Sequence, residues 1–109
     1  MTDDSVAAVL DDIRRLIADG SRIVASGRAR FFDAQDRTLR LAAKAIVFGI
    51  QRAVARLPDR FRQRYPAVAW DELRAMSGYL EQQDSSTDYR LVWNALSSDF
   101  PRLGHELGL

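Results

Sequence analysis

Residues 34–58 read AQDRTLRLAAKAIVFGIQRAVARLP. Leu39, Ala43, Ile46, Ile50, Ala53 and Leu57 recur there at spacings of three and four, which places them on one face of an α-helix. The pattern predicts a helix that starts after Asp33 and runs to about Leu57. Pro58 stops it, because proline lacks the N–H that the next helical bond needs.

The same period extends outward in both directions. Val6, Leu10, Ile13 and Ile17, with Val9 and Leu16 beside them, predict an amphipathic first helix. Asp3, Asp4 and Ser5 supply cap candidates and negative charge at its start. Gly20 weakens this helix without ending it, and Gly27 ends it ahead of a short loop. Beyond Pro58, a short helical piece is expected over 59–65. Tyr65-Pro66 then bends the chain, because the residue before proline is pushed out of the α region. A further helix opens at Trp70-Asp71 and carries Trp70, Leu73, Met76, Tyr79 and Leu80. Residues 81–86 read as a polar loop. Thr87 or Asp88 caps a last helix with Tyr89, Val92, Trp93 and Leu96. Pro101 calls for a kink, or for a restart capped by Ser98 or Asp99. No stretch alternates with period two. The expected fold is all-α: a single domain over 1–109, an antiparallel four-helix bundle with an additional short helix.

Composition narrows the chemistry. The chain has 109 residues, no cysteine and one histidine, His105. That excludes a disulfide framework, thiolate metal sites and cysteine catalysis. A His-rich zinc site falls with them, so neither a metal nor a cofactor is expected. His105 reads as a surface residue. The acidic start, Met1-Thr2-Asp3-Asp4, is unlike a signal peptide. The strongest apolar run, Ala45 to Ile50, is far short of the ~20 residues that cross a bilayer. A cytoplasmic protein that does not enter the membrane is the expectation.

The net charge of +1 conceals an asymmetry. Residues 37–64 hold eight basic side chains against one acid, Asp59, for a net +7. The remainder holds eight against fourteen, a net −6. On a helical wheel Arg37, Arg40, Lys44, Arg52 and Arg56 fall within one arc of about 160°. Leu41 and Phe48 lie inside the same arc. Either this is a solvent face with two apolar strays, or it is a contact surface for another subunit or for an acidic or phosphate-bearing partner. The candidate interface is Leu41, Phe48, Arg40, Lys44, Arg52 and Arg56, with Tyr79 as a core or interface residue.

The second half carries a set of ordered anchors. Tyr65-Pro66 leads to Trp70 at a helix start, then Ala75-Met76, a polar loop, Val92-Trp93, and Asp99-Phe100-Pro101-Arg102-Leu103. Their order and spacing resemble the HepT-like family of small all-α proteins in the HEPN superfamily. The segment from Phe31-Phe32-Asp33 to Gly49 is similar to that family's second helix, so the likeness covers about 80 residues. The resemblance implies a homodimer encoded beside a minimal nucleotidyltransferase, as a toxin–antitoxin pair. It also implies a metal-independent ribonuclease motif of Arg, four residues, His, one residue, Tyr. In that motif Arg steadies phosphate charge and His moves protons at the 2′-hydroxyl. The Tyr accepts AMP from the partner.

Counted from Met76, the three motif positions are Ser77, Gln82 and Asp84. Gln has no titratable proton, Ser carries no charge for phosphate, and Asp repels it. Around Gly49 the family's polar residues give way to Ala43, Ile46 and Ile50. Arg74 lies three residues from the motif Arg position and reads as a solvent or ion-pair residue. The expectation is therefore a non-catalytic HepT-like component that binds a nucleotidyltransferase partner. Two alternatives stand beside it: a ribonuclease toxin whose site has moved to the Arg37–Arg64 stretch, with RNA as its partner, and a structural dimerising bundle.

Overall fold

The amphipathic start of the chain forms one long helix, α1 (Asp3–Ala25), that runs through Gly20 without interruption. It ends before Gly27, whose φ of +101° is backbone that favours glycine. The computed structural model describes residues 3–80 and 87–109, with side chains over 5–76 and 87–109. A single helical turn follows at once, α2 (Arg28–Phe31), where the sequence suggests only a loop. It seats Phe31, which is fully buried.

The next helix, α3 (Thr38–Ala55), starts four residues later than its apolar pattern allows. Two carboxylates explain the delay. Asp33 Oδ1 accepts from the Gln35 N–H at 2.8 Å, and Asp36 Oδ1 accepts from the Thr38 N–H at 3.0 Å. Such local bonds hold the chain in turns that compete with a helix. The short α4 (Asp59–Gln63) follows Pro58, and α5 (Trp70–Leu80) opens at the tryptophan, as the sequence suggests. Asp88 caps α6 (Tyr89–Asn94), its side chain accepting from the Arg90 N–H.

At Pro101 the helix does not restart from a capping side chain. Residues Ala95–Asp99 widen into one π-helical turn, and α7 (Phe100–Glu106) continues from it with Pro101 in its first turn. Asp99 makes no capping bond and pairs with Arg102 instead. The wider turn removes the collision between the proline ring and the carbonyl four residues back. Residues 89–106 are thus helical without a break, the last helical segment of the chain.

The elements are all helical, and no strand occurs among the described residues. α1 and α3 run antiparallel. Asp12 meets Arg56, Leu16 meets Gly49, and Gly20 meets Ile46. α1 also opposes the last helical segment, with Gly20 against Leu96 and Ile17 against Gly104. α5 joins α3 where Gln51 Nε2 donates to the Leu73 carbonyl at 3.0 Å. Ile13, Phe31, Ala43, Val47, Ile50, Val92, Leu96 and Phe100 fill the centre, each at most 1 % exposed. Burying an aliphatic or aromatic side chain of this size contributes about 1.5–3 kcal/mol. No helix among the described residues is long and apolar enough to cross a membrane.

Candidate functional site

The α3 residues of the predicted basic face part company in three dimensions. Arg40 turns back to α2, where its guanidinium donates to the carbonyls of Phe31 at 2.8 Å and Asp33 at 2.9 Å. It also lies 5.9 Å from the Tyr89 ring centroid. Lys44 donates to the Thr87 hydroxyl at 3.0 Å and so ties α3 to the start of the last helical segment. Arg56 pairs with Asp12 of α1 at 2.9 Å. Each of these three has a partner within its own fold. Leu41 remains 41 % exposed. Gln82 and Asp84 lie outside the described residues, and Ser77 and Tyr79 fall in the last turns of α5, beyond its described side chains.

Phe48 and Arg52 take a different course. They line a groove of about 300 Å³ between α3, α4 and α5. On α3, Phe48, Gln51, Arg52 and Ala55 face it at helical spacings, with Val54 alongside. On α5, Trp70, Leu73 and Arg74 face it at the same spacings, and α4 adds Arg62. Trp70 is held by its indole N–H, which donates to the Arg62 and Tyr65 carbonyls at 3.2 and 3.1 Å. That bond fixes the ring in the wall of the groove. Phe48, the apolar stray of the basic arc, is therefore part of a concave surface.

Three guanidiniums surround this apolar lining. Arg62 pairs with Asp59, and Arg74 pairs with Asp71 at 3.4 Å, each within its own helix. Arg52 is exposed, and none of the ion pairs among the described residues includes it. It also lines a second depression with Asp12, Arg15 and Arg56 over the α1–α3 seam. Gln51 Oε1 is buried and has no hydrogen-bond donor among the described residues. Leaving such an acceptor unmatched costs about 1–3 kcal/mol.

The lining has no carboxylate, imidazole or thiol. Its only ionisable groups are arginines, which stay charged at any pH the fold survives. The groove can therefore hold an anion beside an apolar body, and its own side chains cannot shuttle a proton. The displaced titrations lie elsewhere. The Arg14 guanidinium bonded to Asp11 lowers that carboxyl. Bonds from Thr38 lower Asp36, and Arg90 lowers Asp88 while its own pKa rises. His105, exposed on α7, lines a separate shallow depression with Arg14, Ile17 and Pro101.

The sequence reading missed Gln51, Arg62, Trp70 and Arg74 as partners of Phe48 and Arg52. One signal was legible: Trp70, Leu73 and Arg74 share a helical face, as do Phe48, Gln51, Arg52 and Ala55. That the two faces meet follows only from the packing of α5 on α3.

Two curated proteins are similar to part of this chain. "Putative RNase TTE0752" of Caldanaerobacter subterraneus subsp. tengcongensis is 32 % identical over 54 residues, covering 50 % of this chain and 48 % of that protein. "Gamma-glutamylcyclotransferase and putative RNase MJ0434" of Methanocaldococcus jannaschii is 31 % identical over 58 residues, covering 53 % of this chain and 26 % of that protein. The matches thus span about half the length of one relative and a quarter of the other. No family profile and no solved structure matches the chain. The likeness is to proteins named as RNases, and it fits the HEPN-type resemblance at that general level.

Proposed function

We propose that the chain is the HepT-like member of a toxin–antitoxin pair and acts by binding a minimal nucleotidyltransferase partner, without cutting RNA. The observation that carries this reading is the residue set at the motif positions. Ser77, Gln82 and Asp84 leave no cation for phosphate, no imidazole for proton transfer and no phenol to accept AMP. The arginine-rimmed groove supports it, because its lining supplies charge without an acid or a base. The names of the similar proteins supply the RNase-type kinship.

The reading expects a minimal nucleotidyltransferase gene beside this one, and the test is co-expression of the two chains. The reading expects the two chains to co-elute in size exclusion, and separate elution at micromolar concentration refutes it. A homodimer is the assembly that goes with this reading, since closed two-fold association is the commonest form. Leu41 on the outer edge of α3 is its candidate contact. Leu41→Glu should then lower the sedimentation coefficient from dimer to monomer.

A ribonuclease with a relocated site is the second reading. The relatives' names favour it, with the site in the Arg37–Arg64 stretch. Metal-independent RNA cleavage lost on charge reversal at Arg52 and Arg56 would establish it.

A further inference from the structure

We infer that the groove between α3, α4 and α5 is a binding site for a small hydrophobic monocarboxylic acid, with its apolar body against Phe48 and Trp70 and its carboxylate on Arg52. This inference goes beyond the pairing with a nucleotidyltransferase and does not rest on it. The groove has a volume of about 300 Å³, at the lower end of small-molecule sites, which suits one compact ligand. Phe48, Val54, Ala55, Trp70 and Leu73 make its lining mainly apolar. Phe48 and Trp70 are each half-buried, so part of each ring is open to a ligand. The Trp70 indole N–H is already donated to the Arg62 and Tyr65 carbonyls, at 3.2 and 3.1 Å. That ring therefore has no donor left and offers a ligand apolar surface alone.

The rim is matched to a single negative charge. Three guanidiniums reach the groove, those of Arg52, Arg62 and Arg74, and no carboxylate lines it. Arg62 faces Asp59 and Arg74 faces Asp71, each within its own helix, so both pairs are neutral as units. Arg52 is exposed, and the ion pairs among the described residues do not include it. The carboxylates across the α1–α3 seam do not compete for it, since Asp12 pairs with Arg56 and Asp11 with Arg15. One uncompensated positive charge remains, and one carboxylate neutralises it through two parallel N–H···O bonds. A phosphate monoester, with a charge of about −1.5 to −2, exceeds that. The lining has no lysine or hydroxyl to hold its further oxygens. A second copy of this chain fits less well. Two-fold docking of the groove on itself would set arginine rim against arginine rim, a like-charge contact.

The experiment uses the whole chain carrying Trp93→Phe, so that Trp70 is the sole tryptophan. Trp93 packs on Phe31 and Phe32, outside the groove lining. 3-Phenylpropionate and octanoate are titrated against Trp70 fluorescence. Their neutral amides, acetate and adenosine 5′-monophosphate serve as parallel probes. Isothermal titration repeats the series on the unsubstituted chain. At least one acid should change Trp70 emission and bind at least tenfold tighter than its own amide. Acetate, the charge without the body, should leave the emission unchanged. Arg52→Met should weaken the acid at least tenfold, and Arg52→Lys, which keeps the charge and loses the fork, should fall between. Ala55→Phe, at an exposed position of the groove, should block binding. Arg30→Met, on α2 and outside the lining, should leave it intact.

Tighter binding of 3-phenylpropionate assigns the groove to aryl acids, and tighter binding of octanoate assigns it to alkyl acids. Both results, and equal affinity, support the site. The inference is overturned if neither acid binds by either method up to millimolar concentration, or if the amides bind as tightly as the acids. The amide comparison needs no substitution in the groove, so it decides even where a variant fails to fold. Normal binding by Arg52→Met, with a far-UV spectrum matching the parent, also overturns the inference. So does adenosine 5′-monophosphate binding tighter than both acids, or an acidic peptide binding where neither acid does.

Discussion

Replacing a part-buried glutamine that bridges two helices ordinarily destabilises a protein, yet Gln51→Met should not. The side chain makes one described bond, from Nε2 to the Leu73 carbonyl at 3.0 Å. Its loss costs about 0.5–1.5 kcal/mol. The Leu73 carbonyl keeps the helical partner expected of a residue inside α5. Against that loss, methionine removes Oε1, the buried oxygen without a donor among the described residues, which returns about 1–3 kcal/mol. The unbranched thioether fills similar space beside Phe48 and Leu73. The balance favours the variant by about 1 kcal/mol, within bounds of about −0.5 to +2.5 kcal/mol set by those two ranges. Urea unfolding should show a higher midpoint at unchanged slope. The melting temperature should rise by about 4 °C for a domain of this size. A loss of more than about 1 kcal/mol refutes the reasoning, because it would mean that Oε1 has a partner in solution.

Two glycines should separate under alanine substitution. A Cβ at Gly20 would lie 3.2 Å from Cγ of the buried Leu96, whereas at Gly49 it would meet the terminal methyl of half-buried Leu16 at 3.1 Å. Gly20→Ala should therefore destabilise, and Gly49→Ala should stay near neutral, because the helix-propensity gain of about 1 kcal/mol offsets the small shift of Leu16. Thermal melts of the two variants check the difference. Arg40→Met should cost about 1–3 kcal/mol in denaturant unfolding, since it strips a charged donor from the Phe31 and Asp33 carbonyls. Asp11, Asp36 and Asp88 all titrate below the ordinary value of 3.8. Their contribution is complete above that value and is lost as pH falls through the lowered ones. Melting temperature should hold between about pH 7 and 5 and drop below about pH 4, and Asp88→Asn should flatten the drop.

The helices were legible because their apolar positions recur at helical spacing. Ala43, Ile50, Ala53 and Leu57 are buried as the stripe in residues 34–58 implies. Val47 and Val54 are buried as well, outside that stripe, because α3 packs on α1 along one side and on α5 and the last helical segment along the other. A single-face pattern understates a helix that is covered on two sides. The late start of α3 depended on carboxylates bonding their neighbours' N–H groups, a local competition that apolar spacing does not register. The π-helical turn before Pro101 was equally silent in the pattern.

The basic face was the least legible feature. The wheel placed Arg40, Lys44, Arg52 and Arg56 together, and it did so correctly for an isolated helix. What it could not carry were the partners. Thr87 is 43 residues from Lys44, and Asp12 is 44 from Arg56. These pairings give two of the four a partner distant in sequence, and the Phe31 and Asp33 carbonyls give Arg40 its own. Arg52 lines a groove to which Arg62, Trp70 and Arg74 come from elements folded against α3.

The central claim is that binding has replaced RNA cleavage, and one assay addresses it most directly. Purified full-length chain is incubated with structured and single-stranded RNA in the presence of a metal chelator, and the products are resolved on a denaturing gel. The account predicts a cleavage pattern indistinguishable from that of buffer, unchanged by Gln82→Ala. Chelator-resistant cleavage that rises with protein concentration and disappears in Gln82→Ala would contradict it.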